Sequence, residues 1–179
     1  MQQTHAERWP QGKVDQRGGD RGPAAPVDGD ATHTFLTFRL GGQMFALSVA
    51  PVREILDEQR VAILPEAPAD VVGLIDVRGE SVMVMDVSHR LGVMAGSASE
   101  RRIIVLERQG AGRRPVGVLA DQVLSVVEVQ AHAIEPVEQG HASSGLLQGV
   151  ARLDGQLVIV LEHLALLGDP LSAGPDPFP

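Results

Sequence analysis

The chain has no cysteine, which excludes disulfides and thiolate chemistry and fits a reducing cytoplasm. Tyrosine is also absent, and aromatics make up only 3% of the 179 residues. A basic face is missing too. The formal net charge is −8, the wrong sign for a protein that grips a phosphate backbone, so nucleic acid is not an expected partner. The basic residues are nearly all arginine, with Lys13 the only lysine; codon bias explains this better than phosphate recognition. No apolar run is long enough to span a bilayer, and the N-terminus lacks the apolar segment of a secretory signal. Direct membrane insertion is not expected, and the sequence places the protein in the cytoplasm.

What remains is aliphatic. Val, Leu and Ile dominate an apolar share of 44%, and β-branched side chains favour strands. The ends differ from the middle. Residues 1–32 include QGKVDQRGGDRGPAAPVDGD, with no apolar period that burial could use to offset ordering entropy. They read as a disordered arm in which Trp9 is the one oddity. Residues 168–179, GDPLSAGPDPFP, read as a flexible tail. Between them, residues 33–167 form one folded unit. Strands are expected from Phe35 through Leu40, over 44–49 after a Gly41-Gly42 turn, and over 71–77 and 81–87 around Arg78-Gly79. Others follow at 103–106, 116–119, 123–129, 147–153 and 157–161. Pro51 suits a first helical position, so residues 52–56 are expected as a short helical turn. Short helices are also expected after Asp86 and after Glu162. Many short strands with glycine turns indicate an all-β sandwich or barrel.

An internal repeat sharpens the fold. A shift of 76 residues places Gly73 on Gly149, Gly79 on Gly155, Val82 on Val158, Val84 on Val160, Asp86 on Glu162, Leu91 on Leu167 and Gly92 on Gly168. A shift of 71 places Val52 on Val123, Ile55 on Val126 and Pro65 on Pro136. Two similar small barrels follow, each too small to be comfortable alone. They should share an apolar seam, with Val84 expected in it. The repeat also bears on Arg78, whose counterpart is Asp154. Both precede a turn glycine, so the turn needs a polar residue and a Gly able to take positive φ. It does not need arginine.

Enzymatic readings find little support. The six histidines form no HExxH or i, i+4 helical pair, so zinc is not expected. There is no GxSxG elbow. Gly110-Ala111-Gly112 lacks a third glycine and a following helix, so it reads as a hairpin loop rather than a phosphate cradle. Asp76, Asp86, Asp121 and Glu128 are separated carboxylates at strand ends, suited to capping rather than acid–base work. No catalytic, metal or cofactor residue is assigned. The competing reading, a small-ligand-binding or hydrolytic β-barrel, requires a deep pocket with perturbed titratable groups.

Four stretches carry a family resemblance: FLTFRLGGQMFALSVAPVREIL, ILPEAPADVVGLIDVRGESVMVMDV, RIIVLERQGAGRRPVGVLADQVLSVVEV and LQGVARLDGQLVIVLEHLALL. Together they resemble the bacterial chemotaxis coupling proteins, the CheW-like family, over residues 34–167. The specific pieces are V-x-E-I at 52–55, P-x-x-P-x-x-V-x-G from Pro65 to Gly73, R-G followed by V-x-V-x-D, and G-x-x-A-D-x-V from Gly117. Asp76-Val77 and Met83 depart from the usual pattern, as does Leu161-Glu162-His163. The resemblance implies two SH3-like five-stranded β-barrels around a shared core. It further implies a non-catalytic adaptor between a chemoreceptor's cytoplasmic helical tip and the regulatory domain of a CheA-type histidine kinase, with self-association in arrays. Pathways of this kind also serve pili and surface sensing. Glu54 and Arg78 carry over as coupling positions on the surface, and Val52, Gly73 and Val123 as positions near an apolar groove between the barrels. The plainer alternatives are core packing for Val52 and Val123, close backbone approach for Gly73, and an Arg78–Glu54 ion pair.

Overall fold

The computed structural model describes residues 31–94, 96, 101–108, 113–137 and 145–167. Nearly all of the arm and all of the tail lie outside them. Ten strands run in chain order: β1 (Thr32–Leu40), β2 (Gln43–Ser48), β3 (Val52–Asp57), β4 (Val71–Val77), β5 (Glu80–Met85), β6 (Arg102–Leu106), β7 (Val116–Ala120), β8 (Gln122–Gln130), β9 (Leu147–Leu153) and β10 (Gln156–Leu161). One four-residue helix, α1 (His163–Leu166), follows. The first strand starts at Thr32, which pairs with Gln130, inside the stretch assigned to the arm.

The strands form two five-stranded sheets, in the orders β3-β6-β7-β5-β4 and β8-β1-β2-β10-β9. Each position in one order corresponds to the same position in the other. The second unit therefore takes β8, β9 and β10 from the C-terminal half and borrows β1 and β2 from the N-terminus. The repeat is cyclic rather than end to end, which a linear alignment of halves does not show. Among the described residues, neither sheet closes by hydrogen bonding. The barrels expected from the sequence are open, with β3 and β4, or β8 and β9, as edges.

The correspondence extends to irregularities. Register shifts place Arg53 opposite no partner on β6 and Leu124 opposite none on β1. They do the same for Val72 on β4 and Gln148 on β9. These are paired bulges, each adding local twist. The hairpin tips match as well: φ is 55° and 84° at Arg78-Gly79, and 48° and 78° at Asp154-Gly155. Two consecutive left-handed residues make the turn whose twist suits a two-residue hairpin.

Two local expectations fail. Residues 52–57 form strand β3, not a helical turn, and they pair along β6 from Val52–Leu106 to Asp57–Arg102. Tertiary pairing overrides the preference of Pro51 for a helix start. No helix follows Asp86. Its Oδ1 accepts from the Ser88 amide at 3.0 Å and starts a set of turns. Glu162, its counterpart, accepts from the Leu164 amide at 3.3 Å and does start α1.

Alternation on the central strands builds three cores. Leu36, Phe38 and Leu40 of β1 join Phe45 and Leu47 of β2, Ile104 and Leu106 of β6, and Val116 and Val118 of β7 in one cluster that both sheets share. The Phe38 and Phe45 rings stack 5.8 Å apart within it. The opposite faces line private cores: Ile103, Val105, Val82 and Val84 in the first sheet, and Phe35, Ala46, Val158 and Val160 in the second. Val84 thus belongs to the first sheet's own core, not to the seam; Met85 reaches the seam. Residues 103–106 of β6 and Val116–Ala120 of β7 are buried throughout, and they read as unbroken apolar runs.

Candidate partner-binding site

The β4–β5 hairpin carries Arg78 at its tip. Asp76 supports that turn by accepting from the Gly79 amide at 3.0 Å. The left-handed backbone of Arg78 projects a side chain that is 78% exposed. Its guanidinium donates to Glu54 Oε2 at 3.1 Å, and Glu54 is 17% exposed. The bulge residue Arg53 sits beside this pair. It donates to Glu80 at 2.6 Å and lies 3.6 Å from Glu107 and 3.8 Å from Glu54. The hydrogen bond to Glu80 raises the Arg53 pKa above its usual value; the nearby carboxylates add to this against partial desolvation. The expected Arg78–Glu54 pairing is present, and it belongs to a larger network of two arginines and three glutamates.

Val52 and Val123 occupy equivalent positions on β3 and β8. Val52 lies opposite Leu106 and Val123 opposite Phe38, and both are half-buried against the shared cluster. Core packing and a place at the rim of that core are therefore the same position. Two further residues stand on this rim and were not singled out from the sequence. Ile55 lies opposite Ile104 and is 40% exposed; Val126 lies opposite Leu36 and is 59% exposed. Directly opposed residues of antiparallel strands project to the same face, so all four point to the side of the shared core. The available signal was the repeat itself, which aligns Ile55 with Val126.

Gly73 is different. It is buried at the β4 bulge with φ 150°. A Cβ there would fall on the Ala62 carbonyl oxygen and stand 2.6 Å from Val61 Cγ1. Gly149 repeats the arrangement, where a Cβ would stand 2.7 Å from the Glu135 carbonyl and from Ile134 Cγ2. Residue 73 thus lets the 61–62 segment cross β4 and bridge to Leu74. The structure gives it close backbone approach, the plainer of its two expected roles.

Among the described residues, no group of three His, Cys, Asp or Glu is placed to hold a metal ion. No described helix is long and apolar enough to cross a membrane.

Comparison with known proteins agrees with this geometry. The profile of the CheW-like domain matches residues 34–170. A chemotaxis protein CheW of Rhizobium meliloti is 30% identical over 129 residues, covering 71% of this chain and 82% of that protein. Protein PilI of Pseudomonas aeruginosa is 27% identical over 132 residues, covering 70% and 72%. The crystal structure of the scaffolding protein TtCheW from Thermoanaerobacter tengcongensis superposes with a TM-score of 0.65 at 23% identity, covering 82% of this chain and 91% of that one. The paired five-stranded sheets, the V-x-E-I strand and the Arg-Gly hairpin therefore have one source: the chain belongs to the CheW-like domain family.

Proposed function

We propose that the protein is a non-catalytic chemosensory adaptor that couples a chemoreceptor's cytoplasmic helical tip to the regulatory domain of a CheA-type histidine kinase. Family membership carries the class of function. The observation that carries the site is the aliphatic rim of the shared core, Val52 and Ile55 on β3 and Val123 and Val126 on β8, with the Arg78–Glu54 pair beside the β3 part. A strip of aliphatic side chains takes one face of an amphipathic helix. A flanking charge pair fixes its direction and penalises wrong partners. Arg78, mostly exposed and held on the positive-φ turn, reaches outward toward a partner's acceptor. Pairing between copies or with the kinase's own similar domain extends such units into arrays.

The decisive experiment measures binding of the purified chain to a CheA-type regulatory domain and to a receptor-tip peptide by calorimetry. Binding to both supports coupling; binding to neither overturns it. The similarity to Protein PilI favours a second reading, in which the same coupling serves a pilus or surface-sensing pathway. Testing kinases from both kinds of pathway side by side separates the two.

A further inference from the structure

The rim on β8 is apolar, exposed, and close to where the N-terminal arm joins the fold. Thr32, the first residue of β1, pairs with Gln130 at the end of β8, and the Ala131 amide donates to the Ala31 carbonyl at 2.8 Å. Val126 lies four residues back along β8, about 13 Å at strand rise. Glu128 lies between, on the same face as Val126 by strand alternation. It is exposed and has no ion-pair partner among the described residues. Upstream of Ala31 the sequence carries HAERWPQGK, with Arg8 and Lys13 around Trp9. Trp9 is the single tryptophan of a chain without tyrosine. The aromatic side chains of the folded unit, Phe35, Phe38 and Phe45, are buried in its cores. Trp9 is the aromatic side chain left to offer a surface contact from the N-terminal side.

We propose that the segment around Trp9 docks in cis on the β8 rim, with the indole on Val126 and Arg8 against Glu128. The reach is sufficient. The 22 Cα–Cα steps from Trp9 to Ala31 have a root-mean-square span of about 26 Å for a coil, twice the distance needed. A tether of that kind supplies an effective concentration of about 1 mM. A contact whose intrinsic Kd is at or below that concentration is then occupied at least half of the time. An indole is suited to this role because it offers a large apolar face with little rotamer freedom to lose. A receptor helix that uses the same rim would have to displace it. That consequence rests on the function proposed above; the docking itself does not.

Because Trp9 is the only tryptophan, its fluorescence reports the contact directly. In the full chain the emission should be blue-shifted and shielded from acrylamide relative to the same chain in denaturant. Val126→Asp and, separately, Arg8→Glu should each move both readings toward the unfolded values. Emission already at the unfolded value, or unmoved by both variants, overturns the docking. A signal that grows with protein concentration assigns the contact to a second copy and also overturns it. Competition has its own readout. Deleting residues 1–30 should tighten binding of a receptor-tip peptide by about twofold or more, the ratio expected from the occupancy above. Unchanged affinity with a shielded Trp9 refutes competition and leaves docking standing. A peptide that binds neither form refutes the receptor reading, while the fluorescence still decides the contact.

Discussion

Replacing Leu106 by alanine tests whether the two sheets stand or fall together. Leu106 lies on β6 of the first sheet, is fully buried, and belongs to the cluster that also holds Phe38, Phe45 and Leu161 of the second. Removing its isobutyl group leaves a cavity walled by both sheets, and neither can collapse into it without moving the other. Leu→Ala changes in cores cost about 2–5 kcal/mol, and a site this enclosed should fall near 3 kcal/mol. A domain of this size holds about 5–15 kcal/mol in all, so the variant stays folded while its unfolded fraction rises roughly 150-fold. The assay is native-state hydrogen exchange, read on β9 and β10. These strands pair with each other, β10 also pairs with β2, and neither is hydrogen-bonded to β6. If the core is shared, their slowest amides lose the same 3 kcal/mol or so of protection as those of β6 and β7. Loss confined to β3 through β7, with β9 and β10 unchanged, would refute a single cooperative core.

Three further outcomes are expected. Arg78→Asp should change stability by no more than about 1 kcal/mol in a denaturant titration, because Asp154 already occupies the equivalent left-handed position at φ 48° and the lost pair with Glu54 is exposed. The same variant should bind kinase domain or receptor tip at least tenfold more weakly, about 2–5 kcal/mol for a contact left with an unpaired charge; unchanged binding to both would sink its coupling role. Gly73→Ala should cost more than about 2 kcal/mol in thermal unfolding, since the new methyl meets backbone rather than a yielding side chain; a neutral result would mean the 61–62 crossing rearranges at little cost. Deleting residues 1–30 should move the unfolding free energy by less than about 1 kcal/mol, and a loss of several would show the arm to be part of the core.

Strand content was legible because period-two alternation and two-residue glycine turns are local properties. The central strands could be found even without alternation, as short aliphatic runs between turns. Chain segment 52–57 was misread because its local signals conflict. Pro51 and the run Val-Arg-Glu-Ile-Leu suit a helix, while the pairing partner that makes it a strand lies nearly fifty residues downstream on β6. Val84 was placed in the wrong core for a related reason. Alternation tells which residues share a face, but in a sheet covered on both sides it does not tell which face meets the other unit. That the two five-stranded sheets stay open was not legible, since hydrogen bonding between edge strands depends on twist and bulge geometry that composition does not carry. Ile55 and Val126 were overlooked as site residues because an aliphatic residue in a strand reads as core; only their edge position exposes them.

The duplication separates what the backbone requires from what the surface does. At the first unit's outer edge stand Arg53, Glu54, Arg78, Glu80 and Glu107, joined by four ion pairs. The equivalent positions in the second unit are Leu124, Ser125, Asp154, Gln156 and Arg39. The bulges, the turn dihedrals and the cross-strand partners match between the two, so none of the five charges is needed to make the strand, the bulge or the hairpin. Ser125 meets its own neighbour, Thr37, through hydroxyl and backbone contacts of 2.9–3.2 Å, which shows that the Glu54 position is satisfied without a carboxylate. Exposed ion pairs contribute only about 0–1 kcal/mol each, too little to account for a five-residue network as a folding device when the same backbone folds beside it with Leu, Ser and Gln at three of these positions and a charge of opposite sign at the other two. Both edges expose an aliphatic residue, Ile55 on β3 and Val126 on β8, but the first sets it beside the charge network and the second beside exposed Leu124. One pseudo-symmetric frame thus carries two different surface chemistries, which is what an adaptor joining two unlike partners requires.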